Sequence, residues 1–345
     1  MTMRAVKWFG PRDLRLTETP KPIPQPHEAL VRVESVGICG SDIHYYLDGR
    51  IGTQVLTEPV ILGHEYAGIV EAVGEMADPA LVGRRVAVEP GIPCLRCEWC
   101  RTGHYNVCRD MFFPGGPGCD GALCEYMAVH AAFCFPVPEG MRAQTAAMIE
   151  PAAVGLHAAA LAALKPGATV AVLGLGPIGL LTAQAAKLCG AGAVYGTDLL
   201  AYRVAVGARY GADATFDASS GDTVKWIMHQ THGRGVDVAI DCTNRSEGLA
   251  LAVAATRPAG RCVLVGISGE ENDSLPVSIA RRRELQLNWC RRFRDNFPAT
   301  IALVAAGRLD VDSLLTHSFP LEQTAEAFEL VACSGDNVLK VSIDI

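Results

Sequence analysis

The chain has 345 residues, a formal net charge of -7 and 13 cysteines; half of its residues are hydrophobic and 19% are charged. That length suits about two domains, and the apolar content is ample for a packed core and argues against disorder. The acidic balance argues against a protein that lives on nucleic acid, no apolar run approaches the ~20 residues of a membrane span, and MTMRAVKWFG has no signal-peptide core. A reducing compartment is therefore expected, and there clustered cysteines usually bind metal.

In chain order, a stiff extended segment carrying Pro20, Pro22, Pro24 and Pro26 comes first. The residues up to about 150 are rich in Gly and Pro. They hold short alternations such as ALVRVESV (Ala29 to Val36) and AGIVEAVG (Ala67 to Gly74), which predict half-buried strands of an irregular all-β region. The texture changes after Pro151. ATVAVLG predicts a buried strand, and GPIGLLTAQAAKLCGA a helix. AVYGTD, ADATF, VDVAID and RCVLVGI then predict strands alternating with helices near Leu200 to Tyr210, Val224 to Gln230 and Leu249. Continuous apolar strands alternating with helices imply a doubly wound parallel sheet covered on both faces, an α/β domain over about Ala168 to Ile267. From about Glu284 the pattern gives a strand (LQLNW), two short helices and a last strand. These residues either finish the sheet or return to the first region.

Gly174, Gly176 and Gly179 form G-L-G-P-I-G, with Pro177 and Ile178 between the second and third glycines. The motif ends a predicted strand and opens a predicted helix, and Asp198 ends the next strand. In that context it is a dinucleotide fingerprint. Gly174 permits the tight turn, Gly176 lets the backbone approach a pyrophosphate, and Gly179 lets helix and strand pack closely. The helix N-terminus offers unpaired N–H groups to the phosphates. Asp198 can accept hydrogen bonds from the ribose hydroxyls and would repel a 2′-phosphate, so NAD is favoured over NADP. Arg203 follows and is placed to flank the adenosine.

Cys94, Cys97, Cys100 and Cys108 form C-x2-C-x2-C-x7-C. Such turns aim four sulfurs at one centre and suit tetrahedral zinc, and four protein ligands leave no open position, so the site is structural. Cys39, His64, Glu65 and Glu150 are dispersed, and no spacing rule joins them. Singly they read as a small buried thiol, a hydrogen-bonded histidine and two surface acids.

The segments GICGSDIHYY, LGHEYAGIVEAVG, the four-cysteine loop, DGALCEYM, IEPAAVGLHA, VLGLGPIGLL and THSFPLEQTAEAFE resemble, nearly end to end, the zinc-dependent medium-chain alcohol dehydrogenases. SDIHYY, EPAAVGLHA and RRFRDNFPATIAL point within that family to the polyol branch, the sorbitol (L-iditol) and xylitol dehydrogenases. The resemblance implies a Rossmann-like NAD-binding domain over 151–290. A β-rich, GroES-like catalytic domain would be built from 1–150 and 291–345, with the active site in the cleft between the two.

It also implies two zincs per chain. Cys39 and His64 would ligate the catalytic zinc, with Glu65 or Glu150 as the acidic ligand. Other members use a cysteine near Ala152 to Val154; its absence here supports the polyol branch. Ser41 would carry the substrate proton, with His44 assisting. Tyr45, Arg292 and Phe293 would line the substrate pocket. Phe293 stands where the branch usually has tyrosine, and Asp295 where it commonly has asparagine.

The implied activity is hydride transfer between a polyol, oxidised to a ketose, and NAD. The implied setting is a cytoplasmic homo-oligomer, a tetramer ahead of a dimer, without nucleic-acid or membrane partners. The rival readings are a relative acting on threonine or on a cyclitol or amino-cyclitol, and a non-catalytic NAD-binding zinc sensor.

Overall fold

The computed structural model describes residues 1–345, which divide into two compact units, Met1–Glu150 with Phe297–Ile345, and Pro151–Asn296. The first unit begins with β1 (Thr2–Gly10), paired antiparallel to β2 (Asp13–Pro20). Next come β3 (Glu28–Gly37), α1 (Gly40–Asp48), the two-residue strands β4 (Arg50–Ile51), β5 (Gln54–Val55) and β6 (Val60–Ile61), and β7 (Glu65–Val73). β8 (Arg85–Val88), α2 (Glu98–Arg101), β9 (Tyr126–His130), β10 (Cys134–Pro136) and α3 (Ala143–Ala147) follow, and Glu150 lies in the first turn of α4 (Ile149–Ala162).

The region is therefore not all strand. GSDIHYYLD folds as α1 because Asp42, at its third position, accepts the Cys39 N–H at 2.9 Å, and Gly49 ends the helix in the left-handed conformation (φ 65°).

Chain segment 151–296 supplies β11 (Thr169–Leu173), α5 (Pro177–Leu188), β12 (Ala193–Asp198), α6 (Ala201–Val206), β13 (Ala214–Asp217) and α7 (Thr223–Gln230). It continues through β14 (Val236–Asp241), α8 (Glu247–Ala255), β15 (Thr256–Leu264), α9 (Val277–Arg282) and β16 (Gln286–Trp289). The strands form one parallel sheet in the order β13-β12-β11-β14-β15-β16. The order reverses direction at β11, and in such sheets ligands bind beyond the carboxyl ends of the strands at that switch point. Ala171, Leu173, Ala239 and Cys262 fill the space under α8, as expected of strands covered on both faces.

The chain then returns to the first unit with α10 (Phe297–Ala305), β17 (Leu315–Pro320), α11 (Thr324–Ala332) and β18 (Lys340–Asp344). The C-terminal segment thus does both things the sequence left open. β16 finishes the parallel sheet, and β18 pairs antiparallel with β3 through Gly37↔Ser342, Val36↔Ile343 and Ser35↔Asp344. The resulting sheet runs β10-β8-β7-β3-β18-β17, with β9 on the other stretch of β3. Val341 and Ile343 enter the same apolar core as Val33, Tyr66, Val86 and Phe328, while Lys340 and Ser342, which alternate with them, are polar, so this apolar–polar alternation fixes the register of β18.

The stretch Ala143–Ala162 is apolar enough by length and composition to cross a membrane, but 78% of its most apolar window is buried. With Glu150 and His157 inside it, it reads as core helix.

Candidate functional site

Cys39 caps α1 in extended backbone, and His64 and Glu65 sit where the chain enters β7, beside β3. This geometry joins residues that sequence spacing could not. The ligand atoms of Cys39, His64 and Glu65 lie within 4.8 Å of one another. Glu65 is not a surface acid; it is 1% exposed, and Glu150 is 5% exposed. Glu150 falls outside the three-residue group, yet its charge reaches Lys340, which touches Glu65.

Two further residues organise the group. Asp42 accepts the Cys39 N–H at 2.9 Å and the Gly63 N–H at 3.2 Å, and its Oδ1 stands 3.4 Å from Nδ1 of His64. Burial alone would lower the His64 imidazole, but the Asp42 carboxylate and Cys39 outweigh it and hold it well above 6.5. Lys340 opens β18 and places Nζ 2.7 Å from Oε1 and 2.5 Å from Oε2 of Glu65. Gly37 leaves room for this carboxylate, since a Cβ there would lie 2.2 Å from Glu65 Oε2. A thiol, an imidazole and a carboxylate, converging and buried, form the mixed donor set that zinc accepts with a fourth position left over, so the residues fit the metal.

Asp42 and Lys340 did not emerge from the sequence reading. An Asp three residues after a helix cap is a legible capping signal. Lys340, 275 positions from Glu65, has no local signal at all.

The four-cysteine loop also fits. Sγ–Sγ distances are 3.4 Å for Cys97–Cys100 and 3.9 Å for both Cys94–Cys100 and Cys97–Cys108. Four sulfurs about 2.3 Å from one zinc would stand about 3.8 Å apart. The N–H groups of Arg96 and Cys97 pull the Cys94 thiol down to about 6, whereas burial pushes Cys100 up to about 12. No cysteine forms a disulfide. Of the eight outside these sites, Cys124, Cys134 and Cys262 are core residues, and Cys189 and Cys333 are exposed at the ends of α5 and α11.

In the second unit the glycine loop joins β11 to α5. Gly174 has φ 87°, a conformation that glycine adopts without strain, and a Cβ on Gly179 would lie 1.8 Å from the Gly174 carbonyl oxygen. Pro177 and Ile178 form the first helical positions, where proline loses no hydrogen bond. Asp198 ends β12 and accepts the N–H of Leu175 at 2.7 Å and of Leu200 at 2.9 Å. Its carboxylate thereby shapes the loop as well as facing it. Arg203 Nη1 stands 3.9 Å from Asp198 Oδ2, and its Nε donates to the Tyr202 hydroxyl at 3.2 Å.

Ser41, His44 and Tyr45 all lie on α1 with Cys39 at its cap; Ser41 and His44 are half-buried, and Tyr45 is buried. Arg292 and Phe293 lie in the second unit on the segment after β16, where Phe293 is buried. Arg292 and Asp295 both take left-handed backbone, φ 52° and 54°, a conformation costly for residues with side chains.

The family models for the alcohol dehydrogenase GroES-like domain and for zinc-binding dehydrogenase match residues 25–139 and 177–306. A sorbitol dehydrogenase of Bacillus subtilis is 39% identical over 341 residues, covering 99% of this chain and 97% of that protein. The crystal structure of an Escherichia coli alcohol dehydrogenase complexed with NADH superposes with a TM-score of 0.92 at 30% identity, over 100% of this chain and 99% of the other. That of Escherichia coli L-idonate 5-dehydrogenase gives 0.91 at 28% identity, again over 100% and 99%. The chain belongs to the zinc-binding, medium-chain alcohol dehydrogenase family, alongside the sorbitol dehydrogenases.

Proposed function

We propose that this protein oxidises a polyol of the sorbitol, L-iditol or xylitol type to a ketose, with NAD as hydride acceptor. The observation that carries this reading is the convergence of Cys39, His64 and Glu65 in a chain 39% identical, nearly end to end, to a sorbitol dehydrogenase. Cys39, His64 and Glu65 are the residues that would hold a catalytic zinc, and Cys94, Cys97, Cys100 and Cys108 a structural one.

An aliphatic hydroxyl is too weak an acid to ionise near neutral pH, and a zinc at such a site supplies the Lewis acidity that overcomes this. The chain's own residues do the rest. Asp42 holds His64 in one orientation. Ser41 takes the hydroxyl proton outward along α1, and His44, one turn on, passes it to solvent. Glu150, a buried carboxylate, accepts a hydrogen bond from a neighbouring hydroxyl and so favours a vicinal diol over a simple alcohol. Tyr45, Arg292 and Phe293 complete polyol recognition. Gly174, Gly176 and the first turn of α5, with Pro177, Ile178 and Gly179, receive the pyrophosphate of NAD. Asp198 takes the ribose hydroxyls, and Arg203 flanks the adenosine. NAD held there would supply the hydride acceptor, and these residues would set its distance and angle to the substrate.

We assign the protein to the cytoplasm, in keeping with its unpaired cysteines, and to a homo-oligomer, a tetramer ahead of a dimer. NAD reduction across sorbitol, xylitol, galactitol, L-iditol, arabinitols, cyclitols and threonine tests the substrate class. Turnover confined to threonine or to cyclitols would replace the polyol by one of those.

A further inference from the structure

Lysine is almost never buried without a partner, because an ammonium loses its hydration on burial. Lys340 is 4% exposed, and its ammonium donates two hydrogen bonds, to Glu65 Oε1 and to the Ile38 carbonyl, while Glu65 Oε2 lies against it as an ion-pair contact without a hydrogen bond. Nζ approaches both oxygens of Glu65 and donates to the Ile38 carbonyl at 2.8 Å. Ile38 precedes Cys39, and the Ile38 N–H donates to Val341 at 3.1 Å. The first residues of β18 thus bind both the strand that delivers Cys39 and the carboxylate beside His64.

This arrangement sets two cations against one carboxylate, Glu65, the Lys340 ammonium feeling the charges of Cys39 and Glu150 as well. A divalent metal among Cys39, His64 and Glu65 would draw on a carboxylate whose two oxygens already face an ammonium. Like charges that share a ligand in a buried site repel strongly. Asp42 does not relieve this, since its oxygens are engaged by Cys39, Gly63 and His64.

We propose that Lys340 is a positioning residue that competes with the metal for Glu65, stabilising the site without metal and keeping Glu65 a weakly held ligand. This rests on the reading of Cys39, His64 and Glu65 as a zinc site. It differs in sign from a purely structural role. A lysine that merely braced the site would, when removed, loosen the metal; a competitor, when removed, tightens it.

The test is the rate at which zinc-loaded protein releases its metal to a chromogenic chelator. A Cys39→Ser control, expected to retain the metal of the four-cysteine loop alone, identifies the relevant phase. Lys340→Met is expected to slow that phase about tenfold, the scale at which groups behind metal ligands act. Lys340→Arg, which keeps the charge, is expected to release zinc like the wild type. In a Glu65→Gln background, adding Lys340→Met is expected to change nothing.

If methionine prevents folding, Lys340→Gln removes the charge with a polar side chain and is read the same way. Equal or faster release from the neutral variant, or the same effect with and without Glu65, overturns the proposal. A Cys39→Ser protein that keeps both zincs overturns the reading of the site instead.

Discussion

The Asp42 carboxylate stands 3.4 Å from Nδ1 of His64 and receives the N–H of Cys39 at 2.9 Å, so one buried acid orients two proposed metal ligands. With Nδ1 engaged, Nε2 remains for the metal. Asp42→Asn keeps an oxygen for the Cys39 N–H and removes the charge. It is expected to weaken zinc binding at this site by about 10- to 100-fold, measured by chelator competition. An unchanged affinity would remove Asp42 from this role.

Asp198 touches the glycine loop through Leu175 and the next turn through Leu200. Asp198→Ala is expected to lower the preference for NAD over NADP by about tenfold, as loss of a hydrogen bond to a charged group would. The ratio of kcat/KM for the two cofactors measures it, and an unaltered ratio counts against the ribose role.

Cys94, Cys97, Cys100 and Cys108 fold a loop whose regular structure is the four-residue helix α2 and a 3-10 turn at Tyr105–Val107. Cys100→Ser is expected to halve the metal content from two zincs to one and to open residues 94–108 to proteolysis, while NADH binding by the second unit persists. Retention of both zincs would mean that the four sulfurs do not share a metal.

His157 lies on α4 and is 7% exposed; burial first, and then the nearby Arg294 charge, push its imidazole down to about 4. The unfolded chain, with an ordinary histidine near 6.5, takes up this proton before the folded one does. The stability associated with a neutral His157 is therefore complete above about 6.5 and is lost as the pH falls toward 4, by about 3 kcal/mol before solvent screening and about 2 kcal/mol after it. Urea unfolding across that range should show a shallower pH slope for His157→Asn than for wild type. Equal slopes would show that His157 titrates normally.

The doubly wound sheet was readable because β11, β12, β14 and the end of β15 carry short, mostly apolar stretches with helices between them. β17 was missed. It is an edge strand, LTHSFP, whose burial alternates but whose half-buried face carries a histidine between Leu315 and Phe319, so the sequence shows little apolar alternation. α1 was hidden within a region read as all strand, since it is short, mixes polar residues with Ile43, Tyr45, Tyr46 and Leu47, and its start depends on the Asp42 contact. The four cysteines were legible because their spacing is local. Cys39, His64 and Glu65 were not, because β3, α1 and β7 bring them together through long-range pairing. Only the resemblance singled them out in sequence, and even so Lys340 stayed invisible, since β18 reaches β3 from the far end of the chain.

The most direct measurement is NADH formation on sorbitol, L-iditol and xylitol by the zinc-loaded protein, run beside its Cys39→Ala variant with NADH binding followed in both. A catalytic zinc at Cys39 predicts turnover of at least one polyol by the wild type and, in the variant, loss of turnover with NADH binding intact. Full polyol oxidation by a zinc-depleted Cys39→Ala protein, or no turnover of any polyol by the zinc-loaded wild type, would contradict it.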